Sequence, residues 1–188
     1  MSLGLYLHIP YCFSKCRYCD FYSAPGQRGV PRAYVDALLR ELSRFAPDAP
    51  LRPDTLYFGG GTPSLLDPAD AARLIAAAQP LPGAEITLEA NPETVPEDSL
   101  RAFREAGVNR ISFGVQSARD SQLKTLGRPH TAKQARAAFA AARRAGFKNI
   151  SGDIMLALPH YTQAEFDETL ELIEDGGAAH ISAYLLKI

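Results

Sequence analysis

A short pattern that occurs three times constrains the fold of this chain more than any other feature. Its copies lie at residues 106–112, 145–151 and 176–182, and each combines a glycine with a closing Ile-Ser pair. In each copy the glycine follows a helical stretch, and an apolar strand begins a few residues later. Glycine tolerates the left-handed conformation that ends many helices, so the pattern predicts three helix-to-strand turns.

Apolar periodicity predicts alternating strands and helices along the whole chain. The strand candidates are residues 3–9, 55–59, 85–90, 110–116, 149–156 and 180–188. Apolar residues spaced three and four apart mark the first two helices. They are Val35, Leu38, Leu39, Leu42 and Phe45 in the first helix, and Ala71, Leu74, Ile75 and Ala78 in the second.

Helix start signals agree with this alternation. Asp67 before Pro68 is a typical N-cap followed by proline at the first helical position. Three further pairs match the capping box, in which a hydroxyl and a carboxylate or amide satisfy free N–H groups. These pairs are Thr94 with Glu97, Thr131 with Gln134, and Thr162 with Glu165.

Repeated strand–helix–strand units predict an α/β fold with parallel strands and right-handed crossovers. Six strands and five helices are too few for a complete eightfold barrel, which needs about 250 residues. We therefore expect a partial (β/α)6 barrel, similar to a TIM barrel, formed by one domain over residues 1–188. A buried parallel strand with no covering helix is an unusual end. The sequence thus predicts that a last helix and a C-terminal domain are missing after the sixth strand.

Composition excludes several classes of function. Apolar residues make up 46% of the chain and the formal net charge is −1, so no basic excess attracts nucleic acid or anionic membrane. An apolar run of about 18 residues is absent, which predicts no transmembrane segment. The N-terminus lacks the pattern of a secretory signal. The three cysteines lie within eight residues and offer no disulfide framework, so we expect a reducing, cytoplasmic location.

The three cysteines form a compact motif. Cys12, Cys16 and Cys19 are spaced C-x3-C-x2-C. Three thiolates are one ligand short of the closed tetrahedral site that structural zinc prefers. An iron–sulfur cluster held by three cysteines instead leaves one iron open for a small molecule.

Two other readings of the motif remain open. Zinc could take His8 as a fourth ligand, although His8 also fits a structural role in the strand before the loop. Alternatively, the cysteines could be buried together on one helical face. Pro10 before the motif, with Lys15 and Arg17 inside it, argues against an apolar helical face.

Polar residues recur where the predicted strands end. Glu89, Gln116 and Asp153 lie in or at the end of three strands, and a triple glycine followed by Thr62 ends another. Functional groups of parallel barrels gather at this edge, and polar groups in apolar strands are costly unless something binds them. A shared ligand is therefore predicted. The alternatives to a shared ligand are structural roles: ion pairs for Glu89 and Asp153, a solvated charge for Arg128 and a simple turn for the glycines.

Structural roles are predicted for one further tyrosine and three histidines. Tyr184 in the last strand could line the site, but core packing is the expected role of an aromatic residue there. His130, His160 and His180 are expected to be surface or structural histidines.

Four motifs together resemble the oxygen-independent coproporphyrinogen III oxidase family of radical S-adenosylmethionine (SAM) proteins. They are the cysteine segment at residues 6–21, Gly-Gly-Gly-Thr-Pro-Ser at 59–64, Phe-Gly-Val-Gln-Ser at 113–117 and Leu-Gly-Arg at 126–128. The resemblance covers essentially the whole chain. It implies that Cys12, Cys16 and Cys19 hold a [4Fe–4S] cluster whose fourth iron binds SAM. Reduction, by a protein such as flavodoxin or ferredoxin, would cleave SAM to methionine and a 5′-deoxyadenosyl radical.

The resemblance also implies a set of SAM-binding residues. They are Tyr6, Tyr18, Gly60, Gly61, Thr62, Glu89, Gln116, Arg128 and Asp153. Tyr18 would lie near the adenine, and Gly60 and Gly61 would let the backbone approach the methionine part. Glu89 and Arg128 suit the charged amino and carboxylate ends of SAM.

One departure from the family pattern bears on function. Family members that decarboxylate the porphyrinogen have a fourth cysteine two places after the third, where this chain has Phe21 after Asp20. The Asp-Phe version resembles the sister group called HemW, which implies a heme chaperone that delivers heme to client proteins. A smaller departure is Ala157, where relatives more often have glycine. The alternatives to a heme chaperone are a coproporphyrinogen oxidase and a metal-stabilised binding module without SAM chemistry.

Overall fold

Six parallel strands form one sheet in strict chain order within the described part of the chain. The computed structural model describes residues 2–45 and 50–186. The strands are β1 (Gly4–Ile9), β2 (Thr55–Gly60), β3 (Glu85–Ala90), β4 (Arg110–Gln116), β5 (Asn149–Leu156) and β6 (His180–Leu185). Each pairs in parallel with its sequence neighbours, and within the described residues β1 and β6 form the two sheet edges. The predicted α/β partial barrel is therefore confirmed. Positions 187 and 188 of the last strand candidate lie outside the described residues.

Helices connect the strands. They are α1 (Arg32–Phe45), α2 (Pro68–Ala78), α3 (Glu97–Glu105), α4 (Asp120–Leu126), α5 (Ala132–Arg144) and α6 (Gln163–Asp175). The prediction of five helices was wrong because α4 was missed. This helix has only seven residues, too few to show periodicity, and it is fixed by the burial of Leu123 and Leu126. No helix in the described part of the chain combines the length and apolar character needed to cross a membrane.

The helix caps follow the sequence with one exception. Asp67 accepts a hydrogen bond from the N–H of Ala69 at 2.8 Å, and both predicted capping boxes at Thr131 and Thr162 are present. The predicted box at Thr94 is wrong, because α3 begins only after Pro96. A residue before proline avoids the helical conformation, so Val95 cannot continue a helix from Thr94.

The three repeated turns adopt the predicted geometry. Gly107, Gly146 and Gly177 have φ values of 112°, 90° and 70°. The residue after each glycine donates its N–H back to the last helical turn, as in Val108 to Phe103 at 3.1 Å. These turns return the chain from the helix to the sheet within a few residues.

The main core lies between the sheet and its helices. Phe58, Phe103, Phe113 and Phe139 are fully buried there, and the rings of Phe113 and Phe139 pack edge to face at 5.2 Å. Phe45, predicted on the buried face of α1, is instead exposed at its end. Side chains alternate between the two faces of the sheet along each strand, so polar side chains point to the face opposite the helices. At the ends of the strands these side chains lie beside the cysteine loop.

Candidate functional site

A cavity of about 400 Å³ lies between the C-terminal ends of the strands and the loop after β1. Cys12, Cys16 and Cys19 all line it, and all three are free thiols. The sequence motif and the predicted strand-end cluster therefore meet in one place.

Backbone hydrogen bonds fix the cysteine loop. The N–H of Cys12 donates to the carbonyl of Ala24 at 3.0 Å, and the N–H of Gln27 donates to the carbonyl of Cys12 at 3.0 Å. Arg17 donates its N–H to the carbonyl of Leu126 at 3.0 Å, which joins the loop to the end of α4. The thiols are thus presented by a loop held at several points rather than by a helical face, and the helical alternative is wrong.

His8 is not placed to complete a zinc site. Its Nδ1 lies 3.1 Å from the Tyr6 hydroxyl and its Nε2 lies 3.0 Å from the carbonyl oxygen of Tyr22. Both ring nitrogens are therefore occupied within the protein, which supports the structural role expected for His8. Over the described residues, no group of three His, Cys, Asp or Glu side chains is compact enough to hold a single metal ion.

Two of the three sulfurs accept hydrogen bonds from side chains of other elements. The Nη1 of Arg128 lies 3.5 Å from the sulfur of Cys16, and the Thr62 hydroxyl lies 3.5 Å from the sulfur of Cys12. Such bonds stabilise thiolates and tune the potential of any cluster that the thiolates hold. Burial raises the pKa of the Cys19 thiol above its usual value, so metal binding at this position would release a proton.

Arg128 is a structural centre of the site rather than a solvated loop charge. Its Nη2 donates to the side-chain oxygen of Asn91 at 2.6 Å and to the carbonyl of Gly114 at 2.7 Å. Its Nε is buried and has no hydrogen-bond partner in the described structure. A buried donor without a partner is unusual in a native protein.

Two carboxyl groups line the cavity, and neither forms an ion pair among the residues that the structure describes. Glu89 accepts hydrogen bonds from the Tyr57 hydroxyl at 2.7 Å and from the N–H of Gly60 at 3.1 Å. Asp153 accepts from the Ser112 hydroxyl at 3.1 Å. Burial raises the pKa of both Glu89 and Asp153 above their usual values. Because their hydrogen-bond donors are neutral, the structural ion-pair alternative is not supported, and the site favours a positively charged ligand group.

Gln116 ends β4 in an unusual conformation. Its φ is 67°, and the pairing of β4 with β5 shifts register between Gly114 and Gln116. Gln116 is 8% exposed, and its Oε1 is buried without a hydrogen-bond partner among the described residues. Strained backbone and an unpaired buried oxygen beside the cavity are both typical of a binding position.

Gly60, the last residue of β2, and Gly61 after it allow close packing against the protein itself. A Cβ on Gly60 would lie 2.6 Å from the His8 ring, and a Cβ on Gly61 would lie 2.8 Å from the sulfur of Cys12. Gly60 also has a φ of 120°, which other residues rarely adopt. Both glycines line the cavity, so the expected backbone approach to a ligand remains a prediction.

The two tyrosines predicted at the site differ in position. Tyr18 lines the cavity, whereas Tyr6 is outside its lining and stacks against Tyr57 with ring centroids 6.0 Å apart. The structure therefore brings together all the predicted SAM residues except Tyr6. Thr62 is buried and joins Cys12 to Asn91 through its hydroxyl.

Sequence reasoning missed several lining residues. Asn91 and Ser112 line the cavity, and the signal for Asn91 was available because it directly follows β3. The core role expected for Tyr184 was wrong, since this side chain lines the cavity and is 52% exposed. Phe21, at the place of the fourth family cysteine, also borders the cavity and is 66% exposed.

Comparison with known proteins agrees with the geometry. The family model of the radical SAM superfamily matches residues 6–173. The chain therefore belongs to the radical SAM superfamily.

Within that superfamily the chain is similar to HemW-type proteins, as the sequence predicted. It is 42% identical over 192 residues to the heme chaperone HemW of Escherichia coli K12, covering 99% of this chain and 51% of that protein. It is 38% identical over 196 residues to HemW of Haemophilus influenzae, with the same coverage. The chain thus spans about half the length of these curated relatives. The structure of coproporphyrinogen III oxidase (HemN) from E. coli superposes with a TM-score of 0.88 at 30% identity, covering 99% of this chain and 44% of that one.

Proposed function

We propose that Cys12, Cys16 and Cys19 hold a [4Fe–4S] cluster and that SAM binds beside it in the same cavity. The observation that supports this most strongly is the shared lining: the three free thiols lie around one space with Glu89, Gln116 and Arg128. Three thiolates leave one iron of a four-iron cluster without a protein ligand. That open position is where the amino and carboxylate groups of SAM would bind.

The cavity side chains suit the parts of SAM. Arg128 would bind the carboxylate of SAM, and Glu89 would accept hydrogen bonds from its amino group. Gln116 and Asp153 would bind polar groups of the ligand, with the Tyr18 ring beside the adenine. When bound, the cluster supplies the electron for reductive cleavage of SAM, and a flavodoxin or ferredoxin would reduce the cluster. Release of 5′-deoxyadenosine by the reduced protein would exclude a binding module without SAM chemistry.

We propose further that the protein is a heme chaperone of the HemW type, acting in a reducing, cytoplasmic environment. The similarity to HemW proteins and the presence of Phe21 in place of a fourth cysteine support this. Heme would be carried and passed to client proteins rather than modified. The HemW relatives that suggest this function are about twice as long as this chain.

Heme titration tests the chaperone proposal. The anaerobically purified protein should shift the Soret band of micromolar heme, whereas an unrelated protein at the same concentration should not. Transfer of the bound heme to an apo-hemoprotein would extend the result to delivery. No Soret shift at micromolar heme would end the chaperone proposal.

A coproporphyrinogen III oxidase is the second candidate, because the HemN structure matches nearly the whole chain. Chromatography of products after incubation with coproporphyrinogen, SAM and reductant separates the two functions. We expect unchanged coproporphyrinogen. Formation of protoporphyrinogen would favour the oxidase instead.

A further inference from the structure

The sequence assigns His130 no function, yet its surroundings connect it to the cavity. The side chain is fully buried, and its Nε2 lies 3.1 Å from the carbonyl oxygen of Val115. A carbonyl oxygen can only accept, so the hydrogen bond requires a proton on Nε2 of the imidazole. His130 therefore donates to the backbone directly before Gln116.

The carbonyl of Val115 also closes a tight turn around Gln116. The N–H of Ser117 donates to this same oxygen at 2.9 Å, two residues apart, and the central residue Gln116 has a φ of 67°. A γ-turn with positive φ at its central residue is rare and strained. Such a conformation persists only when surrounding groups hold it in place.

Two neighbouring side chains hold consecutive carbonyls of this bend. Arg128 donates to the carbonyl of Gly114 at 2.7 Å, and His130 donates to the next carbonyl, that of Val115. The segment that carries Arg128 and His130 is anchored at its two ends. Arg128 donates its N–H to Leu123 at 2.8 Å, and Thr131 caps α5 directly after His130.

Glu93 lies on the other side of the imidazole. Its Oε2 lies 3.3 Å from Nδ1 of His130, and the carboxylate side chain is only 14% exposed. Burial alone would raise the pKa of Glu93, but contact with His130 and the charge of Arg128 hold it below its usual value. An ionised carboxylate therefore lies beside the ring, although neither its Oε2 nor Nδ1 of His130 has a hydrogen-bond partner in the described structure.

We propose that His130 is a positioning residue that, through its hydrogen bond to Val115, holds the strained turn at Gln116 and so directs the Gln116 amide into the ligand cavity. This inference rests on the proposed function only in naming SAM as the ligand. His130 touches no ligand-lining space itself and acts through the carbonyl of Val115.

Two matched substitutions separate this role from general packing. In His130→Gln the amide nitrogen takes the place of Nε2 and can still donate to Val115. In His130→Asn the amide nitrogen takes the place of Nδ1, faces Glu93 and leaves the Val115 carbonyl without its donor. The two variants have similar polarity, so a merely structural role predicts similar effects. His160→Asn, at an exposed histidine, serves as the control.

The first measurement is hydrogen exchange of the Ser117 amide, which reports the turn without any cofactor. We expect His130→Asn to speed this exchange by about tenfold, as for loss of one buried hydrogen bond, and His130→Gln to stay within about twofold of the wild type. Equal effects of the two variants, or unchanged exchange in His130→Asn, would overturn the proposal.

The second measurement is SAM binding to the cluster-loaded protein. His130→Asn should weaken binding by about tenfold in the wild-type background and by less than about twofold in a Gln116→Ala background. Equal weakening in both backgrounds would contradict action through Gln116. If the wild type itself fails to bind SAM, the proposed function fails, and the exchange measurement still decides the role of His130.

Discussion

The guanidinium of Arg128 reaches the sulfur of Cys16, 3.5 Å from Nη1, across 112 positions of sequence. The same side chain holds Asn91 after β3 and the carbonyl of Gly114 in β4. One cation therefore joins the cysteine loop to two strand ends. Because a guanidinium offers several donors in a fixed plane, this arrangement couples the shape of the cavity to the placement of the thiol.

Replacing Arg128 should weaken SAM binding more than it affects cluster assembly. We expect Arg128→Ala to weaken SAM binding by about 1.5–3 kcal/mol through loss of a charge-assisted hydrogen bond. Anaerobic calorimetry measures this, with Arg101→Ala as a control at an exposed arginine of α3. Arg128→Lys keeps the charge but not the fork of donors, so it should recover only part of the affinity. Unchanged affinity in Arg128→Ala would contradict the assigned role.

Each cysteine should be indispensable for the cluster. Replacing Cys12, Cys16 or Cys19 by alanine leaves two thiols, and the chain contains no other cysteine to substitute. Iron and sulfide analysis after anaerobic reconstitution should show loss of the cluster in all three variants. Ser14→Ala, in the same loop, is the matched control and should assemble normally. A cluster retained in any cysteine variant would show that the ligand assignment is wrong.

The hydroxyl of Tyr57 should stabilise the buried carboxylate of Glu89. It donates to Glu89 at 2.7 Å, so Tyr57→Phe removes one of the two hydrogen bonds found on this carboxylate. We expect the free energy of unfolding at neutral pH to fall by about 1–2 kcal/mol. Urea denaturation checks this against Tyr161→Phe, whose ring packs on Phe166. Equal losses in the two variants would assign the effect to packing rather than to the carboxylate.

Asp153 should make the metal-free protein less stable as the pH rises. Burial raises its pKa above the usual 3.8, so the native state binds this proton more tightly than the unfolded state does. The free energy of unfolding therefore falls as the pH rises from the usual pKa through the raised native pKa. At pH values above the native pKa the loss of stability is complete and stays constant.

Comparison with Asp153→Asn isolates this effect. The stability of the wild type minus that of the variant should decrease across the pH window and then level off. Denaturant unfolding at a series of pH values measures the difference, with Asp98→Asn at an exposed position of α3 as control. A difference that is constant or rises with pH would show that Asp153 does not carry this cost.

Local signals in the sequence were sufficient for the sheet and most of its connections. Strands β3, β4 and β5 have the predicted bounds, and the turn at Gly107 forms as expected because its geometry depends on a few adjacent residues. The capping pattern at Thr94 failed because Pro96 imposes a stronger local restriction. Helix α4 was missed because its stability comes from burial, which its short sequence does not display.

The site was predictable as a group of strand-end residues but not in its internal contacts. Parallel strands bring Glu89, Gln116 and Asp153 to one edge, so their meeting follows from topology. The hydrogen bond from Arg128 to Cys16 depends on the path of two loops, which no periodicity encodes. Tyr184 was misplaced for a similar reason, because the depth of the cavity beside β6 depends on the whole sheet.

Electron paramagnetic resonance of the anaerobically reconstituted, reduced protein tests the central claim most directly. With three thiolate ligands and one open iron, the protein should give the signal of a reduced [4Fe–4S] cluster, and SAM should shift that signal. The Arg128→Ala variant should need more SAM for the same shift. A protein that assembles no cluster, or a cluster signal that SAM leaves unchanged, would contradict the account.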